Sequence, residues 1–324
     1  MPFEIVPLEG KHLPDAAGLA SARYRALREQ VPAMPTRYED PGSTLPWLQD
    51  LASQAPGVAA IRNGRLAGFL LGMVIPQFRG KRGVFSPEWA NAADLEDSRW
   101  LYEEMYARLS ARWVADGCVT HLISLLAHDR PGIEGWHGLG FGLAAADGVR
   151  AVDSTPDLDP VPGPNTEIEI RQASPDDVEQ MRDLLTALVR HMMSAPTFLF
   201  RREPDRLDEH AAWLADPANA LWLAWQGDSV VAGMGHGPAN PDACDVIAGD
   251  RTTSIVSAYT QPSARGGGIA TALLDRVLAR AREGGFERCA VDWEPMNILA
   301  HRFWTRHFQP VCYALARQID ERLC

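Results

Sequence analysis

The chain has 324 residues, enough for two hydrophobic cores of ordinary size, and its 46% hydrophobic and 23% charged residues exclude a disordered or fibrous protein. A formal net charge of −11 excludes a general nucleic-acid surface, which needs clustered Lys and Arg, but permits a small anion held by a few main-chain N–H groups. The five scattered cysteines lack ligand-type spacing and no apolar run is long enough to span a bilayer, so we expect no disulfide framework, no metal, no membrane partner and a cytoplasmic location.

Apolar spacing predicts a helix from about residue 14 to 29 and another over 45–53. A hairpin follows, 58–62 and 66–74, around Asn63-Gly64. Then come a strand near 83–85, a helix over 100–116, a strand over 120–126 and a short helix ending at Gly140-Phe141. The stretch 152–166 interleaves Asp153, Asp157 and Asp159 with Pro156, Pro160, Pro162 and Pro164, the composition of an extended, solvated connector. Beyond it a strand at 167–171 leads to a helix capped by Ser174, with Leu184, Leu185 and Leu188 at helical spacing. A shorter helix at 207–214 precedes a second hairpin, 220–225 and 229–234, about Gln226-Gly227-Asp228. The series closes with a strand at 254–260, a glycine loop, a helix over 269–282 stopped by Gly284-Gly285, a strand at 289–293, a helix at 297–307 and a strand at 311–319. One order of elements occurs twice. The expected architecture is therefore α/β (α+β, mixed sheet) with two tandem domains, 1–151 and 167–324, joined by a linker at 152–166.

The loop Arg265-Gly266-Gly267-Gly268-Ile269-Ala270 stands between a predicted strand and a predicted helix. Consecutive glycines let the main chain close around a phosphate, and the unpaired N–H groups of the first helical turn face the same anion. Arg265 adds a fixed positive charge and Thr271 a hydroxyl. Neither a Gly-Lys-Ser/Thr ending nor an early strand with a distant acidic ribose ligand is present, so the loop matches neither common nucleotide motif.

The run from Thr260 and Gln261 through Arg265, Gly268 and Ala270 to Leu274 resembles the acyl-CoA signature of the GNAT superfamily of N-acyltransferases, Arg/Gln-x-x-Gly-x-Gly/Ala. The likeness continues through Asp292-Trp293-Glu294, Asn297, Ala300, Phe303 and Trp304, and covers about 168–319. It implies two GNAT-like domains, each a mostly antiparallel central sheet with helices on both faces and one parallel strand pair that splays apart. It implies acetyl-CoA, or another acyl-CoA, as co-substrate. Its pantetheine arm would lie in the splay against the main chain of Ala258 and Thr260, and its diphosphate against Arg265, Gly266, Gly267, Gly268, Ile269, Ala270 and Thr271, with Asn297 and Trp304 nearby. The activity implied is transfer of the acyl group to the primary amine of a small molecule by direct attack in a ternary complex, in a monomer or homodimer. The alternatives are an acyl-CoA sensor without catalysis and an acetyltransferase for protein lysines or N-termini.

Two departures bear on the chemistry. Trp304 stands where many members carry a Tyr that protonates the leaving thiolate, so either Tyr259, Tyr313 or water supplies the proton or none is needed, and Tyr313 is taken as the acid. His307 replaces a Gly that usually precedes Phe308. For the base, one of Asp292 and Glu294 is expected to face the cleft, with Glu294 preferred and His236 a weaker candidate. In the first half the corresponding place reads Ser86-Pro87-Glu88-Trp89-Ala90, then Asp94, Glu96 and Asp97 before the helix. It has no glycines, and carboxylates at a helix start repel a diphosphate, so this half is expected to be a degenerate copy. Its Trp89, Trp100 and Tyr102 would serve packing or wall a pocket.

Overall fold

The computed structural model describes residues 3–154, 167–200, 207–238 and 243–323, and these divide into two units. The first comprises Met1–Asp147, Cys244–Val246 and Pro310–Cys324, the second Gly148–Ala243 and Ile247–Gln309. Most of the expected connector, 155–166, lies outside the described residues. No described helix is long and apolar enough to cross a membrane.

The first unit opens with β1 (Glu4–Pro7), α1 (Leu13–Gln30), α2 (Leu45–Gln54), β2 (Gly57–Arg62) and β3 (Arg65–Leu71). It continues with β4 (Met73–Phe78), β5 (Lys81–Ser86), β6 (Asn91–Ala93), α3 (Ser98–Ala115), β7 (Thr120–Leu126) and α4 (Arg130–Gly138). The division between units falls within β8 (Gly142–Ala151). Asn63 and Gly64 both have positive φ, 51° and 75°, the two-residue turn whose twist suits a hairpin. The strand expected over 66–74 is two strands, broken at Gly72. A Cβ there would meet Val84 Cγ2 at 2.8 Å and Trp113 Cζ2 at 2.9 Å, so only a glycine lets the main chain pass. Strands β1 and β6 have four and three residues, too few to show a period in the sequence.

On α3 the buried side chains Leu101, Tyr102, Met105, Tyr106, Leu109 and Trp113 recur every three or four residues and pack with Trp136 and Phe141. Tyr106 meets Trp136 and Phe141 edge-on, with centroids 5.3 Å and 5.2 Å away. Trp89 and Tyr102 are thus core residues, whereas Trp100 is 58% exposed. β5 and β7 run parallel from Gly83↔Thr120 to Ser86↔Ile123. Beyond that point buried Asn91 fills the gap, its Nδ2 donating to Ser86 Oγ (3.1 Å), Pro87 O (2.9 Å) and Ser124 O (3.0 Å) while Tyr102 OH donates to its Oδ1.

In the second unit β9 (Ile168–Gln172), α5 (Val178–Met193), α6 (Leu207–Ala215), β10 (Ala220–Gln226), β11 (Ser229–Pro238) and β12 (Thr252–Thr260) are followed by α7 (Ile269–Glu283), β13 (Arg288–Trp293) and α8 (Ile298–His307). Strands β9, β10, β11 and β12 pair antiparallel in that order, and β13 joins β12 in parallel. Met181, Leu184, Leu221, Leu223, Trp225 and Val230 form a core between α5 and the sheet. The last strand, β14 (Gln309–Gln318), pairs antiparallel with β7 from Cys312↔Leu126 to Gln318↔Thr120 and belongs to the first unit.

Candidate functional site

Parallel pairing of β12 with β13 runs from Thr252↔Arg288 to Ile255↔Val291 and stops, although β12 continues to Thr260. The cause is local. On its other edge β12 pairs Ile255 with His236 and Ser257 with Gly235, so Val256 is an extra residue, a bulge that bends the strand away from β13. Side chains 252–255 are buried and Val256 is 42% exposed, which marks where the opening begins.

Beyond the bulge the main chain of β12 offers an edge that no described strand pairs with. Gln261 N donates to Val231 O on β11 (2.9 Å), so by strand alternation the N–H and C=O of Thr260 and Ala258 point the other way, into the opening. The Thr260 carbonyl accepts from Arg265 Nε (3.0 Å), whose guanidinium lies 5.7 Å from the Tyr259 ring centre. Ala258 is therefore the position whose main-chain pair is open to an extended ligand.

The glycine loop turns through positive φ at Gly266 (82°) and Gly268 (76°), a conformation costly for any side chain with a Cβ. Gly268 is the N-cap of α7 and its carbonyl accepts from Ala272 N. Helix geometry then leaves the N–H groups of Gly268, Ile269, Ala270 and Thr271 without intrahelical partners, at the positive end of the dipole. A Cβ on Gly266 would meet nothing within 4 Å, so this glycine serves the turn and the open space beside it.

These features line one cleft of about 910 Å³ in the second unit. Of the residues singled out from the sequence, Ala258, Thr260, Arg265, Gly266, Gly268, Ile269, Ala270, Thr271, Glu294, Asn297 and Trp304 line it. Gly267 and Tyr313 do not. Gly267 lies between the two turned glycines, and Tyr313 is on β14, opposite Leu125 of β7, packed against the first unit's core. Tyr259, the alternative acid, is on the cleft wall. Asp292 and Glu294 both line the cleft, against the expectation that one would, because the cleft lies at the end of β13: Trp293 between them lines it too, and Glu294 is beyond the strand. His236 is buried away from the lining, with Nδ1 3.2 Å from Thr253 Oγ1, and burial lowers its pKa to about 4.

On one wall Leu185, Leu188, Val189 and Met192 form an apolar stripe of α5 at i, i+3, i+4 and i+7, and on another Leu299, Ala300, Phe303 and Trp304 come from α8. The sequence does not single out His191, although it follows that α5 stripe. Its Nε2 lies 3.2 Å from Asn297 Oδ1 and its ring 5.7 Å from that of Tyr259. An amide oxygen only accepts, so Nε2 carries a proton and donates to Asn297. Asn297 also caps α8 through Oδ1 to Ala300 N (3.4 Å), which leaves its oxygen committed. His307 lines the cleft, and burial, with Arg150 and Arg306 nearby, lowers its pKa to about 4.

Residues 185–308 match the model of the acetyltransferase (GNAT) family. A search of curated proteins gave no match. Among solved structures, a GCN5-related N-acetyltransferase from Sphaerobacter thermophilus is similar over 98% of this chain and 95% of its own, at 15% identity and a TM-score of 0.55. A GCN5-related glucosamine N-acetyltransferase region of a fungal multi-domain GH3 β-N-acetylglucosaminidase is similar over 97% of this chain and 38% of its own, at 12% identity and a TM-score of 0.51. At these identities the likeness is one of fold.

Proposed function

We propose that the protein moves an acetyl group from acetyl-CoA to the primary amine of a small molecule, by direct attack in a complex holding both substrates, a reading that starts from the match of residues 185–308 to the acetyltransferase (GNAT) family. One observation carries the reading. A single cleft combines a helix start of bare main chain, a strand edge unpaired among the described residues and two carboxylates.

When bound, acetyl-CoA supplies an acyl carbon activated as a thioester. The N–H groups from Gly268 to Thr271, with the Arg265 guanidinium, suit its diphosphate, and the open main chain of Ala258 suits the amides of its pantetheine arm. Asp292 and Glu294 favour a cationic amine in the cleft, and Glu294 takes the proton that the amine must shed, directly or through water. Tyr259 gives a proton to the departing sulfur, the role that the Trp304 indole cannot fill. His191, steadied by Asn297, orients the Tyr259 phenol from the α5 side.

Thiol release by the full-length protein, measured with acetyl-CoA against a panel of small amines and lysine-bearing peptides, tests the reading. The expected result is saturable release that depends on a small amine and falls by about 100-fold or more in Glu294→Gln, with acetyl-CoA affinity retained. Binding without thiol release under every amine would instead make the protein a sensor, and release driven by peptides alone would make it a protein acetyltransferase.

A further inference from the structure

The first unit is assembled from three separate stretches of chain, and each places one metal-ligating side chain at a common point. Glu88 follows β5, Cys244 belongs to the short segment Cys244–Val246, and Cys312 is on β14. Their ligand atoms all lie within 4.8 Å of one another and all three residues are buried. Two donors at tetrahedral positions on a zinc ion are roughly 3.5–4 Å apart, so small side-chain adjustments bring this set onto one ion. We propose that Glu88, Cys244 and Cys312 bind one thiophilic divalent cation, zinc by the chemistry of the donors, and that it clips the three stretches of the first unit together.

The donor set fixes the class of ion. Two sulfurs and one carboxylate suit zinc and disfavour calcium or magnesium, which take oxygen alone. Cys244 and Cys312 are both free thiols, open to ligation. The surroundings hold the donors in place, as the outer shell of a metal site does. Val246 N donates to Glu88 Oε1 (3.0 Å) and Cys244 N to Asp147 Oδ1 (3.0 Å). Asp245 is anchored by Trp89 Nε1 at its carboxylate (2.7 Å) and by Tyr38 OH at its carbonyl (2.8 Å), while Tyr24 OH reaches Val246 O (3.4 Å). Asp245 itself is exposed, so the segment that carries Cys244 reaches the surface. On binding, each thiol yields its proton to solvent, and two thiolates and a carboxylate against the dication leave the site with one net negative charge; no oxidant is involved. Three protein donors leave the fourth tetrahedral position to water.

The test uses full-length protein stripped of metal under reducing conditions and titrated with Co2+, then with Zn2+ in competition. One cobalt per chain with a thiolate-to-cobalt charge-transfer absorbance, displaced by zinc, is expected, together with a higher Tm on zinc binding. Cys312→Ser should abolish the absorbance, Glu88→Gln should weaken affinity by about tenfold or more, and Cys118→Ser, a buried thiol outside the cluster, should leave both unchanged. Circular dichroism and acetyl-CoA-induced stabilisation of each variant show that it folds. Failure to bind either metal, charge transfer persisting in folded Cys312→Ser, or a Cys244–Cys312 disulfide in protein freshly purified without reductant would overturn the proposal.

Discussion

Gly268 is where the proposed cofactor site is most sensitive to a single atom. Its φ of 76° disfavours any side chain, and its N–H is among those facing the cleft. Gly268→Asp adds strain and a negative charge beside the proposed diphosphate, and we expect acetyl-CoA affinity measured by calorimetry to fall at least about 100-fold, about 2.7 kcal/mol. The neighbouring Gly267 supplies the control. It does not line the cleft, its φ is not positive and a Cβ on it would meet nothing within 4 Å, so Gly267→Ala should change affinity by about twofold at most. A second residue sets acid sensitivity. Thr253 Oγ1 donates to Gly237 O, so it accepts from His236 Nδ1–H, and Nε2 is the bare nitrogen of a neutral ring with no partner among the described residues. Burial lowers the folded-state pKa from 6.5 to about 4. Between those values the unfolded chain takes up a proton that the folded one refuses, so stability present above about pH 6.5 is lost as pH falls towards 4. In His236→Asn, which keeps a donor towards Thr253, the fall in Tm from about pH 7.5 to about pH 5 should be smaller; an equal fall would show that His236 does not contribute.

Two parallel strand pairs show how much element-level information the sequence carries. The glycine run, the strand before it and the helix after it are legible because each has a local cause: bare main chain, alternation, a three-to-four spacing. The opening beside them is not, since it depends on one bulged residue, Val256, whose side chain gives no hint that β11 skips it. In the first unit the lack of glycines and the acids before α3 are legible, whereas the part that Asn91 plays between β5 and β7 is not, because its three acceptors lie at residues 86, 87 and 124. That side chain knits the ends of β5 and β7, and Asn91→Ala would leave buried acceptors unsatisfied. We expect a loss of about 2–3 kcal/mol in denaturant unfolding without a change in the slope m. A loss under about 0.5 kcal/mol would mean that water replaces the amide at no cost and that the gap is open to solvent.

At the scale of the whole molecule, chain order and membership of a unit part company at β14. The sequence shows a last strand at 311–319 and gives no sign of its partner, because alternation specifies a face and not a neighbour. The pairing is with β7, every residue of which is buried, and Leu315 enters the first unit's core with no exposed surface. The three-residue segment Cys244–Val246 is equally silent, yet its main chain is bonded by Glu88, Tyr38 and Tyr24. Cutting by chain order thus separates residues that fold together. A fragment ending at residue 154 lacks both β14 and Cys244–Val246, and leaves β7 as an apolar edge open to pairing with another chain. We expect that fragment to aggregate, or to unfold without a cooperative transition, while the full chain melts cooperatively. A soluble fragment with native near-ultraviolet circular dichroism and a Tm within about 5 °C of the full chain would show instead that β14 is an accessory to the first unit and not one of its structural strands.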